Sequence, residues 1–398
     1  MTAERSPVPT ASGSVLIGFA DALAAPEVTA SLLQGGLRVA CFTRRGRPVA
    51  LRRLTGVEVI EVTAPEDDLD ACVGEVAAAA LRFDVTMPLN DPAVLVCDRA
   101  LPGGAVCAGP RGVAAAFALD KRLQLEAAET AGLRVPEWAP LHLGDRVTGA
   151  LGWPLVVKPA LAVEAAGGRI RRLSPRVAGD PAAVDRAWRD WGEATPVVAQ
   201  RWLPGVGAGV FGMADSGGVH HLSAHRRVRM MNPTGSGSSA CESVPTAPEL
   251  VAPIQRFLDR AGWNGMFMVE LLHSGGTAWF MELNGRPWGS LALSRRLGYE
   301  YPLWSVARAL DPAAQLPGSP EFRPLLCRNL GRELVHLAFV LRGPRSPAAT
   351  WPGRWSTVRS LASDPRGSTW YNLAPGLRRL FLYDAWRTVA DQTWAKDR

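Results

Sequence analysis

Two glutamates and one asparagine in the second half of the chain form the pattern with the most chemical content. Glu282 and Asn284 are two positions apart in an apolar run typical of a β-strand, so their side chains point to the same side. Glu270 lies 12 positions before Glu282 in a second such run, and a Gly-Gly turn between the runs predicts a hairpin that brings Glu270 alongside. Carboxylate and amide oxygens are the ligands that Mg²⁺ prefers, together with water and phosphate oxygens.

The surroundings of these side chains favour a metal site. Their neighbours along both runs are mostly apolar, and an unpaired carboxylate in such surroundings is costly. The alternative is that Glu270 and Glu282 are solvated strand residues. The sequence therefore predicts a magnesium site formed by Glu270, Glu282 and Asn284.

Lysine usage is the second unusual feature, because only three of the 44 Lys and Arg residues are lysines. They are Lys121, Lys158 and Lys396. A compact ammonium group can follow a phosphate oxygen where the planar guanidinium of arginine would impose its own geometry. Two of the three are therefore the first candidates for a phosphate site. Chance survival in an arginine-rich chain is the alternative, and it fits Lys396.

The elements that must position these residues begin with short apolar runs and helical patterns that alternate over residues 13–110. Strands that alternate with helices predict a parallel α/β sheet. The first strand ends in Gly18-Phe-Ala-Asp21 rather than G-x-G-x-x-G. A lone G-x-G-x-x-G at 207–212 lies inside a strand pattern, with no acidic residue about 20 positions on. We therefore expect residues 13–110 to form a Rossmann-like lobe without its nucleotide, after a disordered leader at 1–12.

Residues 111–305 are predicted to form a second unit, in which helices and strands are mixed. A helix begins at Asp120, and the run at 154–159 predicts a strand that carries Lys158. A Gly/Ser-rich loop at 232–239 could hold an anionic group with its backbone N–H groups, or be a plain flexible connector.

Several segments together resemble one known family. In chain order they are Asp120-Lys121, Pro154-Leu-Val-Val-Lys158-Pro159, Gln200-Arg-Trp-Leu-Pro-Gly205, His225-Arg-Arg227, Glu270 and Met281-Glu-Leu-Asn-Gly-Arg286. This set resembles the ATP-grasp superfamily of carboxylate-amine ligases. Its most specific part is the spacing of 12 between the two glutamates, with Asn two and Arg four residues after the second. The resemblance covers about residues 15–305.

The resemblance implies an α/β architecture, the ATP-grasp fold, in which two α+β lobes clamp ATP after a Rossmann-like N-terminal lobe. The ATP-grasp domain would be residues 111–305, with a lid lobe at about 140–200. The loop at 162–168 matches the family's mobile lid. Residues 306–398 lie beyond this core and are expected to form a mainly helical C-terminal extension.

The nucleotide contacts that the resemblance implies are Lys121, Lys158, Gln200, Arg201, Trp202 and Leu203. Both lysines would contact phosphates, and Lys158 would also lie near the adenine. Backbone groups of residues 201–203 would bracket the adenine edge at the hinge between the lobes. Gln200 is a departure, because the family usually has Glu there, and an amide still forms hydrogen bonds but brings no charge.

The same resemblance implies ATP and Mg²⁺ as cofactors, with Mn²⁺ as an alternative metal. Glu270, Glu282 and Asn284 would hold one or two metal ions against the β- and γ-phosphates. Arg286 would face the acceptor carboxylate and the developing acyl phosphate, for which a bidentate guanidinium is well suited. Arg227 aligns with a family arginine that reaches the γ-phosphate or the substrate. Arg286 and Arg227 are therefore the predicted catalytic residues.

The C-terminal extension carries the excess positive charge of the chain. Residues 321–398 contain 13 Lys and Arg against 6 Asp and Glu, and five tryptophans lie among residues 351–394. A helix at 377–394 is predicted to pack on the body of the protein through a face that contains Leu380, Leu382, Tyr383, Trp386 and Val389. The alternative is a basic surface for an acidic carrier protein, an anionic membrane or a phosphorylated substrate. No motif supports binding of nucleic acid.

The function that follows from the resemblance is that of an ATP-dependent ligase. It would activate a small-molecule carboxylate as an acyl phosphate and join it to an amine. A nucleotide-binding regulatory or scaffold protein without turnover and a kinase that stops at phosphorylation are the alternatives. Six cysteines without a C-x-x-C pair, and no apolar run of roughly 18 residues, favour the cytoplasm. Neither H-E-x-x-H nor G-x-S-x-G occurs, so nothing indicates those hydrolase classes.

Overall fold

A computed structural model describes residues 13–141, 151–192, 195–233, 237–344, 351–363, 368–373 and 377–394. The predicted leader at 1–12 and Lys396 lie outside these described residues. Within them, no helix is long and apolar enough to cross a membrane.

The N-terminal lobe is built on a parallel sheet of four strands in the order β3-β2-β1-β4. Its elements are β1 (Ser14–Gly18), α1 (Ala25–Gln34), β2 (Arg38–Arg44), β3 (Glu58–Val62), α2 (Leu69–Ala80), β4 (Val85–Pro88) and α3 (Asp91–Ala100). Parallel strands require crossover connections; α1 supplies the one from β1 to β2 and α2 the one from β3 to β4, whereas a short 3-10 helix (Ala50–Arg53) lies between β2 and β3. The alternation read from the sequence is therefore confirmed.

Two helices lead from this lobe to the next, α4 (Val113–Leu119) and α5 (Lys121–Thr130). Asp120 caps α5, because its Oδ1 accepts a hydrogen bond from the backbone N–H of Arg122 at 2.8 Å. The cap fixes the start of the helix, so Lys121 stands at its first position.

The lid lobe is an antiparallel sheet in the order β5-β10-β6-β9, packed against helix α6. Its elements are β5 (Trp138–Leu141), β6 (Leu155–Pro159), β7 (Glu164–Ala166), β8 (Arg169–Arg171), β9 (Arg176–Ala178), α6 (Pro181–Trp191) and β10 (Val197–Arg201). The segment at 162–168, expected to be a loop, is largely a short hairpin of β7 and β8. Gly167 and Gly168 form its turn at φ values of 59° and 73°, which glycine adopts without strain.

The largest sheet has seven strands in the order β15-β14-β11-β12-β13-β16-β17. They are β11 (Val206–Asp215), β12 (Gly218–Met230), β13 (Ser238–Val244), β14 (Gly265–Ser274), β15 (Thr277–Asn284), β16 (Leu326–Arg328) and β17 (Ser368–Trp370). The predicted hairpin around residues 270–284 is present as β14 and β15. Helices α7 (Val251–Asp259), α8 (Leu291–Arg296) and α9 (Tyr301–Leu310) accompany the sheet.

The C-terminal extension contains α10 (Leu330–Arg342), α11 (Arg354–Ala362) and α12 (Arg378–Trp394). It is mainly helical, as predicted, but its strands β16 and β17 also join the largest sheet. The boundary predicted between residues 305 and 306 falls inside helix α9.

Helix α12 packs closely on α10 at Gly331, where a side chain would clash with the backbone of Ala385. Leu380 is buried and Tyr383 and Val389 are half-buried, but Leu382 and Trp386 are 64% and 60% exposed, so the predicted packing face is wrong for these two residues. At about 100° per residue, these two side chains lie on the opposite side of the helix from Leu380.

Candidate active site

The predicted carboxylates stand side by side on the hairpin. Glu270 of β14 and Glu282 of β15 are direct partners in the strand register, and Asn284 pairs with Met268 next to them. Asn284 is buried, and its Nδ2 lies 3.8 Å from the sulfur of Met268. The hairpin therefore brings together the three oxygen donors that the sequence singled out.

The two carboxylates differ in their direct ion pairs. Arg227 Nη2 lies 2.7 Å from Glu270 Oε1, whereas Glu282 forms no ion pair with any described residue. Burial raises the pKa of the Glu270 carboxyl, Arg227 opposes this, and the charge of Glu282 raises the pKa further. Arg286, Lys121 and Lys158 add positive charge from further away, and a cation bound directly by both carboxylates would stabilise the pair.

The donor set fits the magnesium predicted from the sequence. Among the described residues, no group of three or more His, Cys, Asp and Glu could hold a metal ion. Glu270, Glu282 and Asn284 offer only two carboxylates and one amide oxygen, so coordination positions would remain for phosphate oxygens and water, as Mg²⁺ requires.

Lys158 faces these carboxylates from the lid lobe, on strand β6. It is 6% exposed, and burial lowers the pKa of its ammonium group to about 8, an effect that the carboxylate of Glu282 opposes. Lys121, at the start of α5, reinforces the lowering by repulsion. Burial likewise lowers the pKa of Lys121, and Glu282 again opposes this.

Neither ammonium group has a carboxylate within 4.0 Å in the described parts of the chain. A buried cation without such a partner carries a desolvation penalty, which an anionic ligand would relieve. A polyanion beside the carboxylate pair would therefore offset the desolvation of Lys121 and Lys158.

Gln200 occupies the predicted hinge at the end of β10. It is 1% exposed, its Oε1 has no hydrogen-bond partner among the described residues, and its Nε2 lies 3.5 Å from the carbonyl oxygen of Pro136. A buried acceptor without a partner is costly, so Gln200 Oε1 is an acceptor that a bound amine would satisfy.

The residues after Gln200 are partly engaged within the protein. The backbone N–H of Arg201 donates to Glu137 O at 2.8 Å, and that of Trp202 donates to Pro154 O at 3.2 Å. The side chains of Arg201 and Trp202 are exposed, and Leu203 is half-buried. A nucleotide at this hinge would therefore use other backbone groups than these two N–H groups.

Arg286 is held by an acidic residue that sequence reasoning missed. Its Nε and Nη2 donate to Asp91 Oδ1 and Oδ2 at 3.0 and 3.4 Å. Arg172, from the lid lobe, also approaches Asp91 Oδ2 at 3.5 Å. Although burial alone would raise it, the pKa of Asp91 is lowered, chiefly by Arg286. Asp91 of the N-terminal lobe thus contacts the lid lobe through Arg172 and the end of the carboxylate hairpin through Arg286.

A signal for Asp91 does exist in the sequence. Asn90 caps helix α3 through its Oδ1, and Asp91 is the first residue of that helix, directly after strand β4. Polar groups at the carboxyl end of a parallel strand commonly form sites, so this segment could have been proposed from its pattern. Its partner Arg286 could not, because 195 positions separate them.

A cleft of about 660 Å³ lies between the N-terminal lobe, the carboxylate hairpin and the C-terminal extension. Arg227, Arg286 and the two glutamates line it, as does His225 of β12. His225 is 1% exposed, and neither ring nitrogen forms a hydrogen bond with any residue that the structure describes. Burial lowers the pKa of His225 to about 3, so the ring is neutral near pH 7.

No protein-family model and no curated protein sequence matches this chain. Solved structures do match its fold, and 447 of their chains are similar. One is an L-amino acid ligase from Bacillus licheniformis, with 18% identity and a TM-score of 0.56 over 77% of this chain and 75% of that chain.

A second is an N5-carboxyaminoimidazole ribonucleotide synthetase in complex with ADP, with 16% identity and a TM-score of 0.60 over 90% and 98% of the two chains. A third is the biotin carboxylase domain of the Hydrogenobacter thermophilus 2-oxoglutarate carboxylase with MgADP and bicarbonate, with 15% identity and a TM-score of 0.59 over 77% and 71%. These likenesses confirm the ATP-grasp fold that the sequence predicted.

Proposed function

We propose that this protein is an ATP-dependent ligase that activates a substrate carboxylate as an acyl phosphate and joins it to an amine, with release of ADP and phosphate. The observation that carries the proposal is the apposition of two paired carboxylates, Glu270 and Glu282, with the buried Lys158 and the half-buried Lys121, neither of which has a carboxylate within 4.0 Å among the described residues. A nucleotide triphosphate together with a divalent cation would satisfy both halves of this arrangement.

ATP would lie between the lid lobe and the hairpin. Lys121 and Lys158 would bind its phosphates, and phosphate charge would offset the desolvation that lowers their pKa values. Gln200 Oε1, buried and without a partner, would accept a hydrogen bond from the amino group of adenine.

Glu270, Glu282 and Asn284 would hold Mg²⁺, which supplies charge neutralisation for the phosphates when bound. Arg227 competes for Glu270 in this structure, since its guanidinium is 2.7 Å from Oε1. We expect Arg227 to turn towards phosphate or substrate when the nucleotide is present, because one carboxylate cannot give both cations its full charge.

In the first step, an oxygen of the substrate carboxylate attacks the γ-phosphorus, and the bond from that phosphorus to the bridging oxygen breaks to release ADP. Arg286 lines the cleft beside the two glutamates, and Asp91 fixes its guanidinium. Its fixed position lets it stabilise the charge on the acyl phosphate without reorganisation.

In the second step, the nitrogen of a neutral amine attacks the acyl carbon, the carbon–oxygen bond to phosphate breaks, and the amine proton leaves with the phosphate or to solvent. The enzyme contributes mostly by positioning the two reactants in the cleft. Amino acids are the first substrates to test, because one of the similar structures is that of an L-amino acid ligase.

The test is a screen for ADP release, with pairs of carboxylates and amines added to the purified protein, ATP and Mg²⁺. Lys158→Ala and Glu282→Ala should abolish turnover, while Glu249→Ala, an exposed glutamate, should leave it unchanged. ADP release that requires both substrates supports the ligase. A phosphorylated product without ligation would show a kinase, and nucleotide binding without ADP from any pair would favour a regulatory protein.

A further inference from the structure

The arginines of the cleft differ in their partners. Those that line it are Arg44, Arg47, Arg172, Arg227, Arg286 and Arg332. The first five each have a carboxylate oxygen within 3.5 Å. Arg332 has none within 4.0 Å among the described residues. It is therefore the cation of this cleft whose charge the protein leaves least neutralised.

Arg332 comes from the C-terminal extension, in the first turn of α10. Its Nη1 donates to the carbonyl oxygen of Ser238 at 3.0 Å, which fixes the guanidinium at the end of the Gly/Ser-rich loop. A Cβ atom on Gly237 would clash with that guanidinium, so the absence of a side chain there leaves the space that Arg332 occupies. Among the described residues, no other group accepts a hydrogen bond from the Arg332 guanidinium.

The acidic residues nearest to Arg332 are already engaged. Glu333, the next residue in α10, pairs with Arg229 and with Arg328. Asp384 of α12 accepts a hydrogen bond from Asn372 Nδ2 at 2.8 Å. Burial lowers the pKa of Arg332, nearby Tyr371 and Asp384 oppose this, and Arg227 reinforces it. An anion beside Arg332 would relieve a desolvation cost that Tyr371 and Asp384 offset only in part.

His225 gives an independent indication that this cleft receives a polar ligand. It lines the same cleft, is 1% exposed, and has no hydrogen-bond partner for either ring nitrogen in the described part of the chain. Buried polar groups without partners are rare in native proteins unless water or a ligand satisfies them. A second cavity of about 260 Å³ continues from the cleft, and Arg332, Arg47 and Asp21 line both.

We infer that Arg332 binds a second carboxylate group on the substrates, one that is not activated by ATP. The inference rests on the proposed ligase function. Arg286 already stands beside the carboxylate pair for the reacting group, whereas Arg332 reaches the cleft from the opposite, C-terminal part of the chain. The C-terminal extension is then part of the substrate site and selects acid-bearing substrates. The second carboxylate belongs either to an amino acid that supplies the amine or to a dicarboxylic acyl donor.

The experiment compares matched substrates in two arms, by kcat/KM for ADP release. One arm offers L-amino acids and their primary amides as amines, and the other offers dicarboxylic acids and their monoamides as acyl donors. The variants are Arg332→Gln, which keeps a donor for Ser238 O but loses the charge, and Arg332→Lys, which keeps the charge. Arg342→Gln, at an exposed arginine of the same helix, is the control. Circular dichroism verifies that each variant is folded.

In one of the two arms, the wild type should prefer the acid by about 10- to 100-fold, the value of a hydrogen bond to a charged group. Arg332→Gln should abolish this preference by lowering kcat/KM for the acid alone, Arg332→Lys should keep part of it, and Arg342→Gln should leave it intact. The inference is overturned if neither arm shows a preference, or if Arg332→Gln lowers acid and amide equally or leaves the preference unchanged.

Binding separates failure of this inference from failure of the proposed function. If no pair releases ADP, the ligase proposal fails, and the inference is then decided by thermal shifts with a non-hydrolysable ATP analogue, Mg²⁺ and the same acids and amides. A stabilisation by acids that is absent in Arg332→Gln supports the carboxylate site. Equal shifts in both proteins overturn it.

Discussion

Asp91 accepts two hydrogen bonds from Arg286 although 195 positions separate them in the chain. The pair joins the start of a helix in the N-terminal lobe to the end of the carboxylate hairpin. Arg172 of the lid lobe reaches the same carboxylate. The position of the Arg286 guanidinium is therefore set by the N-terminal lobe, whose first strand is not followed by the G-x-G-x-x-G motif of nucleotide-binding lobes.

Replacing Asp91 with asparagine tests this relationship. Asp91→Asn keeps the size of the side chain but loses its charge, so Arg286 is free to leave its position. We expect kcat for ADP release to fall about 10- to 100-fold, with about 2 kcal/mol lost in the free energy of unfolding. Asp70→Asn, at an exposed aspartate of the same lobe, is the control. Unchanged kcat in Asp91→Asn would show that Arg286 needs no such support.

The affinity for ATP should depend on pH through Lys158. The pKa of Lys158 is about 8 without ligand, and a bound triphosphate favours the charged form. Below pH 8 the free protein already carries the charge, whereas above pH 8 it must take up a proton on binding. We therefore expect Kd for ATP to increase by up to tenfold per pH unit above about pH 8. Titration calorimetry between pH 7 and 10 measures this.

Lys158→Arg is the control for that pH dependence, because arginine keeps its charge across the range. Its Kd for ATP should vary less above pH 8 than that of the wild type. A wild-type Kd that stays constant from pH 8 to 10 would contradict the assignment of Lys158 to phosphate.

Removing the buried charge should stabilise the protein without nucleotide. The pKa of Lys158 in the folded protein is below its ordinary value of 10.5, so the unfolded chain binds the proton more tightly, and stability falls as pH falls from 10.5 to about 8. Lys158→Met should therefore raise the free energy of unfolding at pH 7 by as much as about 3 kcal/mol. Urea denaturation measures it, with Arg201→Met as an exposed control. A lower stability in Lys158→Met would show that the ammonium group is structural.

His225 should make the protein sensitive to mild acid. Because the pKa of His225 in the folded protein is about 3, the unfolded chain takes up a proton at this residue below about pH 6.5 and the folded protein does not. The contribution of the neutral His225 ring to the free energy of unfolding is therefore complete above pH 6.5. It declines as pH falls, by about 1 kcal/mol between pH 6.5 and 5.5.

Denaturation of His225→Phe at several pH values tests this expectation. The loss of stability between pH 6.5 and 5.5 should be about 1 kcal/mol smaller than in the wild type. His273→Phe, at an exposed histidine, should follow the wild type. Identical pH profiles for His225→Phe and the wild type would show that His225 is not buried as a neutral ring.

The sequence predicted the local parts of the site well. The spacing of Glu270 and Glu282 around a Gly-Gly turn predicted a hairpin, because strand period and turn chemistry depend only on neighbouring residues. The direct pairing of the two glutamates confirms it. The ATP-grasp fold was predicted from the resemblance of several short segments, and the similar solved structures confirm it.

Contacts between distant segments were not predicted. Asp91 meets Arg286, and Arg332 reaches the cleft from α10, because of how the lobes pack, and a strand or helix pattern does not contain this information. The C-terminal extension was treated as separate from the core, yet its strand β16 pairs with β13 of the largest sheet. An isolated three-residue strand such as Leu326–Arg328 is too short to show a period.

The most direct test of the central claim follows oxygen atoms from the substrate to phosphate. A carboxylate substrate labelled with oxygen-18 is incubated with the protein, ATP, Mg²⁺ and an amine, and the released phosphate is analysed by mass spectrometry. If the substrate forms an acyl phosphate in the site lined by Glu270, Glu282, Lys121 and Lys158, each released phosphate carries one labelled oxygen. The Glu282→Ala variant should release no phosphate. Unlabelled phosphate, or release that continues without the amine, would contradict the account.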